Sequence, residues 1–472
     1  MVCGNTNTEE IKVNFQMNIP DEVRHVLTTL QGNGHSAELI GGCVRDALLG
    51  REPRDYDIAT SAIPDSVIQA FLSTEAKVYP TGIQHGTVTV VHKGVPVEVT
   101  TYRTEGGYSD SRRPDSVAFS SNLFDDVWRR DFTINAIAWD GEKLVDHVGG
   151  AGALDQKLIQ AVGHAGARFR EDPLRMLRAI RLACQLGFEI ERLTFGTIQG
   201  GAEWIQKISA ERIQAELNKI LLSNQAARGT QLLQDSGLLQ EILPEIARLS
   251  GFDQKNRRHD KCVLDHTLRV VEAVAPSIEL RLAALLHDVG KPDTFTVGED
   301  GVGHAYSHHL RGMDLTEEIL TRLRYPNAVT EKVKVLVREH MSRVPGLRPG
   351  NVKRLIRRVG EENIEDLFEL MIADVVAHAA PFIEDLEEVL RLRKEALEAL
   401  HAKEPLRVQD LALSGKDLIE MGLKPGPLFG EILGRLLDMV VDGHELNDLD
   451  VLKLRTKFIL EELENEHTNH QA

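Results

Sequence analysis

Apolar residues recur at two different periods along this chain, and the change between them divides it. In the first part they alternate with polar residues. Thr87-Val-Thr-Val-Val91 and Val95-Pro-Val-Glu-Val-Thr-Thr-Tyr102 read as strands half-buried on one face. Pro64 to Leu72 predicts a short helix opening at a proline. Ala37 to Gly50 reads as strand, tight glycine turn and helix. After about residue 165 the period lengthens to that of a helix, as in Leu174, Leu177, Arg178, Ile180 and Arg181. The expected fold class is α+β, a mixed-sheet head followed by helices to the end. Gly251 to Arg258 forms a polar break and Ala402 to Pro405 a weaker one, with no internal repeat.

With 472 residues, 42% of them hydrophobic, the chain can build several cores. Its 55 Lys and Arg against 72 Asp and Glu give a net charge of −17. That excludes a globally basic nucleic-acid coat but leaves room for a local basic groove. An aromatic share of 5% argues against a broad base-stacking platform. The first residues lack the pattern of a signal peptide, and no run is apolar for the eighteen or so residues of a membrane span. Cys3, Cys43, Cys184 and Cys262 are scattered without a CxxC pair. A soluble protein of the reducing cytoplasm is expected, without membrane partners and with no oligomeric state specified.

Chemistry concentrates in short segments. Gly41-Gly42 opens a helix and Arg45 follows one turn later, a pattern suited to an anion. In Arg54-Asp-Tyr-Asp-Ile-Ala-Thr60, read as a strand, Asp55 and Asp57 share a face. Glu98 stands on the polar face of another strand, opposite Val95, Val97 and Val99. Three acids on neighbouring strands suit Mg²⁺, and a two-metal site would clamp an attacking hydroxyl and a triphosphate. Arg129-Arg-Asp-Phe-Thr-Ile-Asn135 adds an arginine pair, Asp131 at an expected helix N-cap, and Asn135. Phosphate and ribose need such donors and acceptors.

These segments, followed by Glu171-Asp-Pro-Leu-Arg-Met-Leu-Arg178, stand in the order of the class II tRNA nucleotidyltransferase / poly(A) polymerase family, which the chain resembles over nearly its whole length. The resemblance implies a nucleotidyltransferase-fold head in which Asp55 and Asp57 hold Mg²⁺ with Glu98 as the third acid. Gly41, Gly42 and Arg45 would meet the triphosphate; Arg130, Asp131 and Asn135 would meet the incoming nucleotide.

Asp172 and Arg175 have a physical logic of their own. Pro173 suits the first helical position, which makes Asp172 the N-cap with Arg175 on the same face. An ionised Asp only accepts and an Arg only donates. Cytosine and adenine each present an amino donor beside a ring acceptor, whereas guanine and uracil reverse the order. The family resemblance implies that this pair is the edge that selects C and A. Arg168, Arg170, Arg175, Arg178 and Arg181 form a local basic run, suited to a triphosphate and RNA path or to a solvated helix face. Thr104 to Ser116, rich in Gly and Ser, predicts a mobile loop and resembles the one full CCA-adding enzymes use to switch from C to A.

Farther on come His266, His287-Asp288 at the end of an apolar helix with Gly290 as its expected C-cap, His308, His340 and Asp374. Asp374 falls in register with Leu367, Met371 and His378, so it points inward. Together they resemble the HD phosphohydrolase domain, with His266, His287, Asp288 and Asp374 as implied ligands of a second divalent metal. His308 and His340 match positions where such domains sometimes build a further one. The domain would then hydrolyse phosphate esters or serve as scaffold.

The expected activity is addition of CMP, CMP and AMP to tRNA 3′ ends from CTP and ATP. The rivals are an A-adding or poly(A)-adding relative and an HD phosphohydrolase with an RNA-binding head. The expected domains are the head (20–165), a helical neck (166–255), the HD domain (256–385) and a helical tail (386–472).

Overall fold

In the computed structural model, residues 15–108, 114–255, 262–342, 349–378, 383–443 and 446–469 are described. The chain forms two compact units, Met1–Pro244 and Glu245–Ala472.

The first unit opens with α1 (Asp21–Gly32), which buries Val23, Val26, Leu27 and Leu30 at helical spacing. There follow β1 (Ala37–Ile40), α2 (Gly42–Leu48), β2 (Asp57–Thr60), α3 (Pro64–Phe71), β3 (Lys77–Gly82), β4 (Thr87–His92) and β5 (Val95–Thr101). A hairpin of β6 (Arg103–Gly106) and β7 (Ser116–Phe119) leads to α4 (Leu123–Trp128). Then come β8 (Ala138–Trp139), β9 (Leu144–Val145) and α5 (Gly150–Asp155). Seven strands make one sheet in the order β3-β4-β5-β2-β1-β8-β9. Only the β2–β5 pair is parallel, so the sheet is mixed, as expected. Val88, Val90, Val97 and Val99 are buried on one face by the two-residue period, while Glu98 faces outward. The ends of the stretch expected as a mobile loop, Thr104–Gly106 and Ser116, are instead paired in this hairpin, and its centre, 109–113, lies outside the described residues.

The rest of this unit contains β10 (Leu158–Ile159), α6 (Ala165–Glu171), α7 (Leu174–Leu186), β11 (Glu189–Ile190), α8 (Arg192–Gly201), α9 (Ala210–Leu221), α10 (Ala226–Asp235) and α11 (Leu238–Ile242). The parallel pair β10–β11 is a departure from an all-helical neck. Leu174, Leu177 and Ile180 bury one face of α7. The arginines at 175, 178 and 181, also three apart, form another.

In the second unit, past α12 (Pro244–Ala247), helices α13 (Val263–Ala273) and α14 (Ile278–Leu286) pack together. After α15 (Lys291–Thr294), a hairpin of β12 (Phe295–Val297) and β13 (Gly303–Ala305) again departs from an all-helical reading. Then α16 (His308–Arg322) packs on α17 (Asn327–Glu339). After α18 (Pro349–Val359), α19 (Ile364–Val376) packs on α13 and α14. Helix α20 (Ile383–His401) runs across residue 385 without a break. The terminal helices α21 (Gly415–Glu420), α22 (Pro427–Asp442) and α23 (Leu449–Asn469) bury a core that includes Leu413, Leu418, Ile432, Leu436 and Leu452.

Gly290 does not end a helix in the left-handed conformation. Its φ is −80°, within the right-handed region. Glycine is required there by packing, because a Cβ would lie 2.2 Å from the His308 carbonyl oxygen.

Candidate active site and a buried histidine cluster

The parallel register of β2 and β5 sets Asp57 directly opposite Glu98. The strand does not reach Asp55, which lies in the exposed stretch before it. The expected strand over 54–60 is therefore shorter. Beside it, β1 ends at Ile40, where the glycine turn carries its ladder away. Asp55 still acts on Asp57 electrostatically. Burial and the Glu98 charge push the Asp57 carboxyl above its usual range, with Asp55 adding to them and Arg130 opposing.

Gly41, with φ 89°, N-caps α2 and turns the chain into the site; Gly42 is the first residue of the helix. A Cβ on Gly41 would stand 3.3 Å from Arg130 Nη1, 3.7 Å from Asp57 Oδ2 and 3.9 Å from the Asn135 carbonyl oxygen. The missing side chain lets these three groups converge. Arg45 donates to Asn135 Oδ1 at 2.7 Å and pairs with Asp46. Asp131 does not cap an α-helix: Thr133–Asn135 is a single 3₁₀ turn. Instead Asp131 is buried, accepting from the Phe132 N–H at 2.8 Å and pairing with Arg178 Nη2 at 2.7 Å. Burial works against its charge, but Arg178 and Arg175 outweigh it and hold the carboxyl below its usual range.

Asp57, Glu98, Thr87, Thr100, Arg103, Arg129, Arg130, Asp131, Arg175 and Arg178 line one cavity. Two outward-facing acids thus meet arginines from the head and from α7. None of the five neck arginines is a merely solvated charge. Arg168 and Arg175 pair with Glu171, Arg178 with Asp131 and Arg181 with Glu216, while Arg170 lies 4.8 Å over the Trp204 ring.

Asp172 Oδ1 accepts from the Leu174 N–H at 3.1 Å, and Pro173 already has helical dihedral angles, so the cap forms. Asp172 Oδ2 pairs with Arg212 at 2.7 Å and Arg175 with Glu171 at 2.7 Å. Sequence reasoning missed Arg212, which lies forty residues away, and also the supports of the arginine pair. Buried Asp126 accepts from Arg129 Nε at 3.0 Å and Arg130 Nη2 at 3.1 Å. Its place three and four residues before them on α4 was the available signal. Glu105 receives Arg103 at 2.8 Å and Arg129 at 3.0 Å.

In the second unit His266, His287, Asp288, His308, His340 and Asp374 are all buried. His266 Nε2 lies 3.0 Å from Asp374 Oδ1, His287 Nε2 3.2 Å from Asp288 Oδ2, and His308 Nε2 3.4 Å from Asp288 Oδ1. The Nδ1 atoms of His287, His308 and His340 lie 2.8, 2.8 and 2.6 Å from the carbonyl oxygen three residues earlier. Donation from Nδ1 to a carbonyl orients each ring with Nε2 facing inward, as metal-ligating imidazoles are held. Burial, with His308 and His287 nearby, holds His340 well below its usual value and therefore neutral. His266–His287–Asp288, Asp288–His308–His340 and His266–Asp374–His378 each bring their ligand atoms within 4.8 Å of one another. Two further members join the cluster, Lys291 unforeseen and His378 read from the sequence only as a register mate of Asp374. Lys291 reaches Asp288 Oδ2 and Gln254 Oε1, each at 2.7 Å, and the His378 ring stacks on His266 at 4.9 Å.

The head sheet and its arginine-lined acids define a nucleotidyltransferase. Residues 37–160 match the poly A polymerase head domain, 187–249 the probable RNA and SrmB-binding site of polymerase A, and 263–404 the HD domain. The chain is 34% identical over 421 residues to the CCA-adding enzyme of Geobacillus sp. strain WCH70, covering 89% of this chain and 92% of that protein. It is 35% identical over 435 residues to the CCA-adding enzyme of Limosilactobacillus fermentum, covering 92% and 95%. The crystal structure of the Bacillus stearothermophilus CCA-adding enzyme in complex with CTP superposes with a TM-score of 0.68 at 30% identity, over 95% of this chain and 98% of that one. The chain belongs to the CCA-adding enzyme family. Among the described residues, no helix is long and apolar enough to cross a membrane.

Proposed function

We propose that this protein adds CMP, CMP and AMP to tRNA 3′ ends from CTP and ATP in the cytoplasm. The observation that carries the reading is the single cavity in which Asp57 and Glu98 face arginines from both head and neck. The outward acids beside Arg130 form a donor set of hard oxygens, and Asp57, whose carboxyl is raised by burial first and by the Glu98 charge second, gains from a cation between the two. Asp57 and Glu98, with Asp55, would hold Mg²⁺. When bound, the ion supplies charge stabilisation at the α-phosphate.

The protein groups do the remaining work by position. The Gly41-Gly42 turn and Arg45 receive the triphosphate, and Arg130 and Asn135 lie within reach of the same nucleotide. Asp131 holds Arg178 at the cavity wall. The RNA 3′-hydroxyl oxygen bonds to the α-phosphorus while the bond to the β-phosphate breaks. Pyrophosphate leaves and the hydroxyl proton is lost to water. Asp172 and Arg175 read the base, a role that requires them to exchange Arg212 and Glu171 for the edge of C or A. The head (20–165) and neck (166–255) divide these tasks.

The test uses tRNA transcripts ending in no tail, C or CC, each incubated with CTP, ATP or both. Sequential growth that stops at CCA supports the reading. Untemplated runs of A would favour the poly(A)-adding alternative.

The histidine cluster supports a second reading. His266 beside Asp374, and His287, anchored through Nδ1, beside Asp288, form a fitting buried donor set, with these four as ligands of a divalent metal. Elemental analysis of the purified protein tests it, and absence of bound transition metal would leave this region as scaffold.

A further inference from the structure

The face of the head sheet that carries Asp57 and Glu98 is covered over only part of its width. Across β2, β1 and β8, Ala59, Ile40 and Ala138 are sealed under Tyr102, Val127 and Val162. Beyond Glu98 the same face stays accessible. Direct cross-strand partners share a face, so Glu98, Thr89 and Tyr79 form one row across β5, β4 and β3, and Thr100 and Thr87 form the next. Paired hydroxyls hold the rows together: Thr87 and Thr100 at 3.1 Å, Thr81 and Thr89 at 2.9 Å. Tyr79 at the far end is 47% exposed. Thr87 and Thr100 line the same cavity as the two acids, so the strip is continuous with the site.

This surface is uncharged between Glu98 and Tyr79, rich in hydroxyls and ends in an aromatic ring. Hydroxyls bond ribose and phosphate oxygens without regard to sequence, and an exposed ring stacks any base. On the other side of the acids, the Gly41 turn, Arg130 and Asn135 crowd together and supply positive charge for phosphates. We propose that the strip from Thr100 through Thr89 to Tyr79 seats the last nucleotides of the RNA being extended. It delivers their 3′-hydroxyl to the acids from the side opposite the triphosphate. The assignment rests on the nucleotidyl-transfer reading above.

The test compares the full-length protein with Tyr79→Ala, Tyr79→Phe and Thr89→Val, using a tRNA transcript ending in C and saturating CTP. Tyr79→Ala should raise KM for the RNA roughly tenfold, the scale of one lost base stack. Tyr79→Phe should restore it, and KM for CTP should not move. Thr89→Val should raise KM for the RNA by a smaller factor. A 4-thiouridine placed next to the RNA 3′ end should crosslink to the peptide spanning residues 77–89. Unchanged KM for the RNA in Tyr79→Ala, or a rise in KM for CTP instead, would overturn the proposal while leaving the function intact. Wild-type protein unable to extend any transcript would sink the nucleotidyl-transfer reading itself, and this proposal with it. Thermal melts of each variant identify any change that merely unfolds the head.

Discussion

Arg178 of the neck helix reaches into the head and pairs with buried Asp131 at 2.7 Å. The two residues come from segments separated by the whole β8–α6 stretch, so the pair ties the α7 arginine face to the cavity wall. Arg178→Ala leaves a buried carboxylate short of its main partner, at a cost of about 1–3 kcal/mol. The Asp131 carboxyl is held below its usual range in the folded protein. Its contribution is therefore present above the unfolded value, near 3.9, and disappears as pH falls through the lower folded value. Melting curves should show a deficit for Arg178→Ala at pH 7 that shrinks towards pH 3.

Gly41→Ala should fold yet lose most nucleotide addition. Its φ of 89° strains any other residue by about 1–3 kcal/mol, and the new Cβ would press on Arg130 Nη1 at 3.3 Å. Activity assays paired with thermal melts check this. Near-normal CMP addition would show that the turn has slack.

Glu38 is buried beneath Tyr102, which donates to it. Burial is the main cause of a rise in its pKa from 4.5 to about 7, against the opposing Tyr102 hydrogen bond. A carboxyl raised in the folded state stabilises below its unfolded value, and that contribution is lost as pH rises through the folded one. Stability should therefore fall between about pH 4.5 and pH 7. Glu38→Gln should flatten this slope and melt higher than wild type at pH 8.

The glycine turn, the outward Glu98 and the inward Asp374 were legible in the sequence because each depends on a local period or turn. The partners of Asp172 and Arg175 were not. Spacing put the two side by side, but Arg212 and Glu171 compete for them, and no periodicity links residue 172 to residue 212. Gly290 shows the same limit. A glycine after an apolar helix reads as a cap, whereas here α16 passes too close for any side chain.

His287→Ala combined with Asp288→Ala should abolish metal binding in the second unit and leave nucleotide addition within about twofold, since independent sites act additively. Elemental analysis and the transcript assay, run on the same preparation, separate the two. Loss of addition would reveal a dependence of the head on this cluster.

Asp172→Asn retains a side-chain oxygen for the Leu174 N–H but offers a base an amide donor. Selectivity for CTP and ATP over UTP and GTP should narrow by roughly ten- to hundredfold, the scale of one bidentate base contact. Unchanged selectivity would leave Asp172 as a cap and a partner of Arg212 alone.

The half-covered sheet also explains how Asp57 can be both perturbed and useful. Its strand continues into a sealed core at Ala59, while Glu98 beside it faces outward. The acids therefore sit on a dielectric boundary, with poorly polarisable core on one flank and water on the other. Their mutual repulsion is amplified on the first flank, and reactants enter from the second. A large apolar residue replacing Thr100 or Thr87 would push that boundary outward past the acids, weakening the site through its surroundings with every charged group still in place.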